Sequence, residues 1–223
     1  LLLGVIVVGL LFILGLVLKK KLALVPGTGQ SITETGLESL LGLMDSVLGN
    51  RHKSERYLPL IATIFVMVMT ANWLGLLPGV GSIGIKGEHG FIPFFRAPSA
   101  DLNFTLAIAI ISVVATHILA IKELGVGSHA KKFFNFSSPI LFFVGILELV
   151  SEFAKIVSFS FRLFGNVFAG EVLLIIIGFL APYVAPVPFL FLEIFVGFIQ
   201  AFVFAMLTLV FVAIATTSHE GEH

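Results

Sequence analysis

Ser160-Phe161-Arg162-Leu163-Phe164-Gly165-Asn166 sets an arginine near the middle of the longest apolar stretch of this 223-residue chain. The stretch runs from about 139 to 180, with no proline after Pro139. A guanidinium keeps its proton in a protein, and at a bilayer centre it costs at least about 2.5–3.5 kcal/mol. Carboxylates accompany it: Glu148, Glu152 and Glu171 on the same stretch, and Glu193 just beyond the turn that ends it. Ionisable groups inside a membrane segment point first to an ion or proton path.

Spacing arranges these groups. At about 100° per residue, with Glu148 at zero, Glu152 falls near +40°, Lys155 near −20°, Arg162 near −40° and Asn166 near 0°. Five polar groups thus form one stripe on a helix otherwise rich in Phe, Leu, Ile and Val. On the last apolar segment, Glu193 and Gln200 are seven residues apart and share a face. Ala181 to Pro188, with three prolines, turns the chain into an antiparallel hairpin. In such a hairpin Arg162 lies level with Gln200, and Glu171 level with Glu193 near the outside. Glu148 and Glu152 fall on the cytoplasmic side. That is the layout of two offset half-pathways divided by a fixed positive charge. Other readings stay open at this point. An intramembrane arginine can simply pin helices through a buried carboxylate. Lys155 can pair with Glu152 or Glu148, snorkel, or act in the path itself. Glu148 and Glu152 can be a wet rim. His117, in another span, is either a hydrogen-bonded core residue or a relay.

The elements that must position these groups are apolar helices. The chain is 58% hydrophobic and 12% charged, against about 25% charged in soluble domains, so it is an integral membrane protein. Zero formal net charge argues against a nucleic-acid partner, and the lack of cysteine excludes disulfides and thiolate chemistry. The expected fold is all-α: five membrane-embedded segments at 1–20, 58–79, 101–122, 138–181 and 187–217, plus an amphipathic surface helix at 31–49. The first segment is read as a span and not a signal peptide, because Lys19-Lys20-Lys21 follows the apolar run instead of preceding it. In 31–49, Leu37, Leu40, Leu41, Met44, Val47 and Leu48 form one stripe, and Ser31-Ile32-Thr33-Glu34 reads as a capping box. The 138–181 segment would measure roughly 65 Å, about twice the hydrocarbon core, so it must tilt steeply or break.

Lysine and arginine set the expected orientation. Lys19, Lys20, Lys21, Arg51, Lys53, Arg56, Lys122, Lys131 and Lys132 fall on one side, and only Lys86 and Arg96 on the other. The N-terminus is therefore expected outside and the C-terminus in the cytoplasm. Two motifs are declined. Gly79 to Gly84 spells GxGxxG, but it follows a membrane helix instead of a strand. His219 to His223 spells HExxH, but in a glycine-containing tail with no third ligand; no metal and no cofactor is expected. The sequons at Asn103 and Asn135 abut a span and fall on the cytoplasmic side, respectively.

Beyond spacing, the residues resemble one family: subunit a of the F-type ATP synthases. The resemblance is carried by Leu147-Glu148-Leu149-Val150-Ser151, by Ser158 through Glu171 around the arginine, and by Gln200 through Thr208. Asn72-Trp73-Leu74-Gly75-Leu76-Leu77-Pro78 and Pro98-Ser99-Ala100-Asp101-Leu102-Asn103 add to it. It covers essentially the whole chain. One departure is Ile156, where family members often carry proline after the basic residue. The resemblance implies a ring of c subunits with lipid-facing carboxylates, b-type peripheral stalk subunits and a bacterial plasma membrane as surroundings. It implies further candidate path residues in Asn72 and His117, assigned to neither side, with an outer path past Glu171 and Glu193 and a cytoplasmic exit past Glu148. Arg162 would be the essential charge between them, with Asn166 and Gln200 positioning it. It implies an ion-translocating subunit and not itself an enzyme. Whether the ion is a proton or sodium depends on the ring carboxylate, in another chain. The rivals are a stand-alone transporter or channel, which usually shows repeats that are not evident here, and a structural membrane subunit whose charges only pin helices.

Overall fold

The computed structural model describes residues 2–20, 27–77, 79–81, 84–87, 90–93, 95–127, 133, 139–181 and 183–216. Six long helices carry the fold: α1 (Leu2–Lys20), α2 (Thr28–Leu48), α3 (Arg51–Gly75), α4 (Leu102–Leu124), α5 (Pro139–Leu180) and α6 (Pro186–Thr216). Between α3 and α4 lie two short antiparallel strands, β1 (Gly84–Gly87) and β2 (Gly90–Pro93), and a 3-10 turn at Pro98–Ala100. The sequence reading did not foresee this small hairpin. Helices α3, α4, α5 and α6 are each long and apolar enough to cross a membrane. The apolar run of α1, Leu2–Val17, is shorter. Lys131, Lys132, the Asn135 sequon and the His219–His223 motif lie outside the described residues.

Local chemistry sets the helix ends, and two of them depart from the sequence reading. Helix α2 begins at Thr28, not Ser31, because the Ser31 amide already donates to the Gly27 carbonyl at 2.9 Å. With that donor satisfied, Ser31 cannot act as a cap, and Glu34 instead accepts from Gln30 at 2.7 Å. Helix α3 starts seven residues before the expected 58 and stops at Gly75. Asn50 caps it, its side chain accepting from the His52 amide at 2.9 Å. The early turns carry Arg51, Lys53, Glu55 and Arg56, charges that an apolar-window reading discards. Gly49, at φ 64°, ends α2 in the left-handed region and reverses the chain between the two helices. Asp101 caps α4 by accepting from the Asn103 amide at 2.9 Å, one residue from the expected start.

Packing gathers α3, α4, α5 and α6 around one interior. Ile64 and Val68 of α3, Ile108 and Ala109 of α4, Phe159 and Leu163 of α5, and Ala201 and Phe204 of α6 form its centre. Leu40 and Met44 of α2 close a second cluster over Tyr57, Ile61 and Leu209. Only the middle of the α2 stripe is buried; Leu37 and Val47 stay exposed. Within the apolar interior, hydroxyls pair across helices. Thr105 meets Ser160 at 3.1 Å and Ser112 meets Thr208 at 2.8 Å, tying α4 to α5 and α6.

Helix α5 is continuous for 42 residues, passing Gly165 without a break. At about 63 Å it cannot stand upright within a hydrocarbon core of about 30 Å. After the turn, Pro186 and Pro188 occupy the first turn of α6, where a missing amide costs nothing. The hairpin register agrees with the depth argument from residue numbers. Glu193 packs against Gly170 and Phe204 against Phe159, at 4.6 Å between ring centres. These contacts are eleven residues apart on both helices, 159 to 170 and 193 to 204.

Candidate functional site

Two polar regions lie along α5, one on each side of Arg162. The first is a narrow cleft near the α5–α6 turn. Glu171 and Asn166 from α5, Glu193 and Gly197 from α6, and Asn72 from α3 line it, with Ala97 at its edge. Its free volume is about 10 Å³, near the minimum for one water. The cleft exists because three elements are fastened at this level. Asn72 donates through Nδ2 to the Gly197 carbonyl at 3.0 Å, and Trp73 through Nε1 to the Ile194 carbonyl at 3.1 Å. Asn72 Oδ1 is buried and finds no partner among the described residues. A glycine at 197 lets α3 approach this closely, since a Cβ there would stand 3.2 Å from the Asn72 Cβ. Gly170 plays the same part for Glu193, whose carboxyl occupies the place a Cβ would take. Arg96, from the segment before the 3-10 turn, reaches Glu171 with Nε 3.6 Å from Oε2, and its guanidinium sits 5.9 Å from the Phe168 ring centre.

The second region is wider and borders Arg162 itself. Arg162, Lys155, Ser158 and Ser151 of α5 and Phe211 of α6 line a groove of about 350 Å³. Arg162 is exposed, and among the described residues no carboxylate lies within ion-pair distance of it. Beyond it, Glu152 is 14% exposed and doubly engaged: Lys155 Nζ stands 2.7 Å from Oε1, and His117 Nε2 3.4 Å from Oε2. Lys155 also lies 4.7 Å from the Phe211 ring centre. Of the options the sequence left for Lys155, the structure selects the pair with Glu152. His117 packs edge-on to Phe133 as well, with ring centres 5.9 Å apart. Glu148, one turn from Glu152, is half-buried.

The residues singled out by sequence therefore divide into three groups. Glu171, Glu193, Asn166 and Asn72 share the cleft. His117 joins Glu152 and Lys155 at the opposite end of α5, far from the carboxylates of the cleft. Arg162 stands between, three residues from Phe159, so the hairpin register sets it opposite Ala201, next to Gln200. Gln200 is 8% exposed, and its Nε2 has no hydrogen-bond partner among the described residues. Asn166 turns to the cleft instead of joining Arg162 in the groove. The sequence reading missed Arg96, Gly170 and Gly197. Arg96 did give one signal, as one of two basic residues in an otherwise uncharged-to-acidic connection; the glycines gave none.

Two fixed carboxylates in a tight cleft and a cation facing an open groove suit the transfer of a small cation between aqueous paths. Among the described residues no group of His, Asp and Glu side chains is arranged to hold a metal ion. Comparison with known proteins points the same way. The family model for the ATP synthase A chain matches residues 1–213. ATP synthase subunit a of Campylobacter jejuni subsp. jejuni serotype O:6 is 36% identical over 213 residues, covering 94% of this chain and 86% of the relative. The subunit of Moorella thermoacetica is 33% identical over 194 residues, 87% and 79% of the two chains. That of Aliarcobacter butzleri is 31% identical over 222 residues, 98% and 89%.

Proposed function

The chain belongs to the ATP synthase subunit a family, the proton-translocating stator subunit of F-type enzymes, and from that premise we propose how its side chains divide the work. The cleft of Glu171, Glu193, Asn166 and Asn72 is the outer half-channel. The region of Glu148, with His117 behind Glu152, is the cytoplasmic one. Arg162 separates them and faces a ring of c subunits, each bringing one carboxylate into the groove.

The observation that carries this reading is the setting of Arg162. It lies about 15 Å along α5 from Glu152 and about 14 Å from Glu171. It is exposed, and no carboxylate of the described residues neutralises it. Facing lipid, such a charge costs at least about 2.5–3.5 kcal/mol, so the groove suits a partner that supplies the counter-charge. That argues against a helix-pinning role. A permanent cation favours the ionised form of a carboxylate passing it, releasing the proton toward one side. It also repels a proton moving directly between the two paths. The driving force is about 2.3 kcal/mol per charge per 100 mV of membrane potential. Gln200 is buried beside this level; a guanidinium only donates, so it would be oriented by the Gln200 side-chain oxygen and not by the unpartnered Nε2.

In this reading the subunit carries out no bond chemistry of its own. It works within the complex beside the ring and b-type stalk subunits, in a bacterial plasma membrane, with its N-terminus outside and its C-terminus in the cytoplasm. The proton is the carried ion. The absence of native cysteine allows a direct test. Single cysteines at 151, 155, 158 and 162 are expected to cross-link to cysteines on the outward face of the ring. If lipid-phase reagents label these positions and the ring never does, the groove is not the ring interface and the reading falls.

A further inference from the structure

Arg96 belongs to no part of the path described above, yet it is the one cation at the cleft among the described residues. Its backbone neighbours are anchored on both sides. The Phe95 carbonyl accepts from the Gly81 amide at 2.8 Å. Ala97 is 2% exposed, packed over Gly75 of α3 and clustered with Ala100 and Val167. Pro98, Ser99 and Ala100 are buried behind it. The side chain is then steadied by Phe168, itself stacked on Phe164 at 5.5 Å. So the guanidinium is held at the cleft mouth by the fold, although it is 53% exposed to the surroundings.

We propose that Arg96 is a positioning residue of the outer path, holding the Glu171 carboxylate at the cleft mouth and offsetting its repulsion with Glu193. The inference rests on the outer-path reading of Glu171 and Glu193. Two ionised carboxylates crowded into so small a cleft repel each other. The groups facing Glu171 are Glu193 from α6 and Arg96 from the connecting segment, while α3 contributes only the neutral Asn72. A cation at 3.6 Å from Glu171 lets both carboxyls remain in the cleft. Arg96 does not itself line the cleft, whose polar walls remain Asn166, Glu171, Glu193 and Asn72.

The test uses the assembled synthase in membrane vesicles, measuring proton-driven ATP synthesis in Arg96→Gln and Arg96→Lys, each also combined with Glu171→Gln. Membrane content of this chain is measured alongside to normalise for assembly. A half-exposed pair predicts a loss of roughly two- to fivefold for Arg96→Gln. Arg96→Lys, which keeps the charge, is expected to recover most of it. In the Glu171→Gln background, where Glu193 still serves, Arg96→Gln is expected to add no further loss. Unchanged synthesis in Arg96→Gln overturns the proposal. So does a lysine variant as impaired as glutamine, or an equal Arg96→Gln loss with and without Glu171. Full synthesis in a Glu171→Gln/Glu193→Gln double variant would instead remove the outer-path reading beneath it, and the proposal with it.

Discussion

Glu171 and Glu152 lie nineteen residues apart on one continuous helix, yet their surroundings differ in kind. Glu171 shares a cleft of about 10 Å³ with a second carboxylate, and its nearest cation is a looser contact at 3.6 Å. Glu152 is gripped by Lys155 at 2.7 Å and by His117 at 3.4 Å, beside a groove some 350 Å³ in volume. Within this chain, α3, α5, α6 and the connecting segment each contribute a wall of the first site. The second is left open on the side of Arg162. The contrast teaches that one region holds two carboxylates together, while the other keeps its carboxylate paired. The latter leaves Arg162 without a counter-charge among the described residues, facing the side where the ring is proposed to sit.

The largest way to break this comparison is to remove both carboxylates of the cleft. In the proposed outer path Glu171 and Glu193 share one small space, so either alone is expected to keep a proton-accepting path. The double change to Gln is expected to exceed the product of the two single losses by roughly tenfold, a coupling of about 1.4 kcal/mol. Proton-driven synthesis in the two singles and the double measures this; strictly additive small losses would count against a shared site.

A smaller effect sharpens the claim that packing shapes the cleft. Gly170→Ala adds a methyl where the Glu193 carboxyl now lies. That carboxyl is the end of a flexible side chain and can swing aside cheaply, so the change displaces Glu193 from the cleft and does not strain the fold. Reduced synthesis with near-normal thermal stability of the purified complex is the expected outcome. Ala at Gly165, which has nothing within 4 Å of such a Cβ, serves as the control and is expected to leave stability unchanged.

The smallest effect lies at the other region. Glu152→Gln loses the ion pair with Lys155 but keeps a side-chain oxygen that accepts from it, so the cost is expected to be about 1 kcal/mol, or about fivefold in synthesis. A loss as large as that of the double cleft variant would erase the distinction between the two regions.

The comparison also shows which features a sequence can carry. The level pairing of Glu171 with Glu193, and of Arg162 with Gln200, was legible because an antiparallel hairpin of regular helices conserves depth through residue numbers. Helix α5 was legible by length alone. By contrast, the start of α3 at Arg51 was hidden, since helical hydrogen bonds continue through charged turns that an apolar window excludes. The Ser31 capping box misled because a motif for an exposed amide has no force once Gly27 has accepted from that amide. The split of the polar stripe, with Asn166 turned to the cleft and Arg162 to the groove, depends on which neighbours wall each turn of α5. Arg96 was legible only as a charge; its contact with Glu171 arises from how α4 and the 3-10 turn return the chain, a tertiary matter no local pattern encodes. Gly170 and Gly197 likewise matter only through what leans on them.

Arg162→Ala tests the central claim most directly, that the exposed arginine between the two regions acts on carboxylates supplied by a ring. Because its side chain fills no interior space, the variant chain is expected to assemble with its ring at near-normal amounts while proton-driven ATP synthesis is abolished. Arg162→Lys is expected to fail too, since a point ammonium lacks the planar fork and loses its proton more readily when desolvated. Sustained proton-driven synthesis by normally assembled Arg162→Ala complexes would contradict the account.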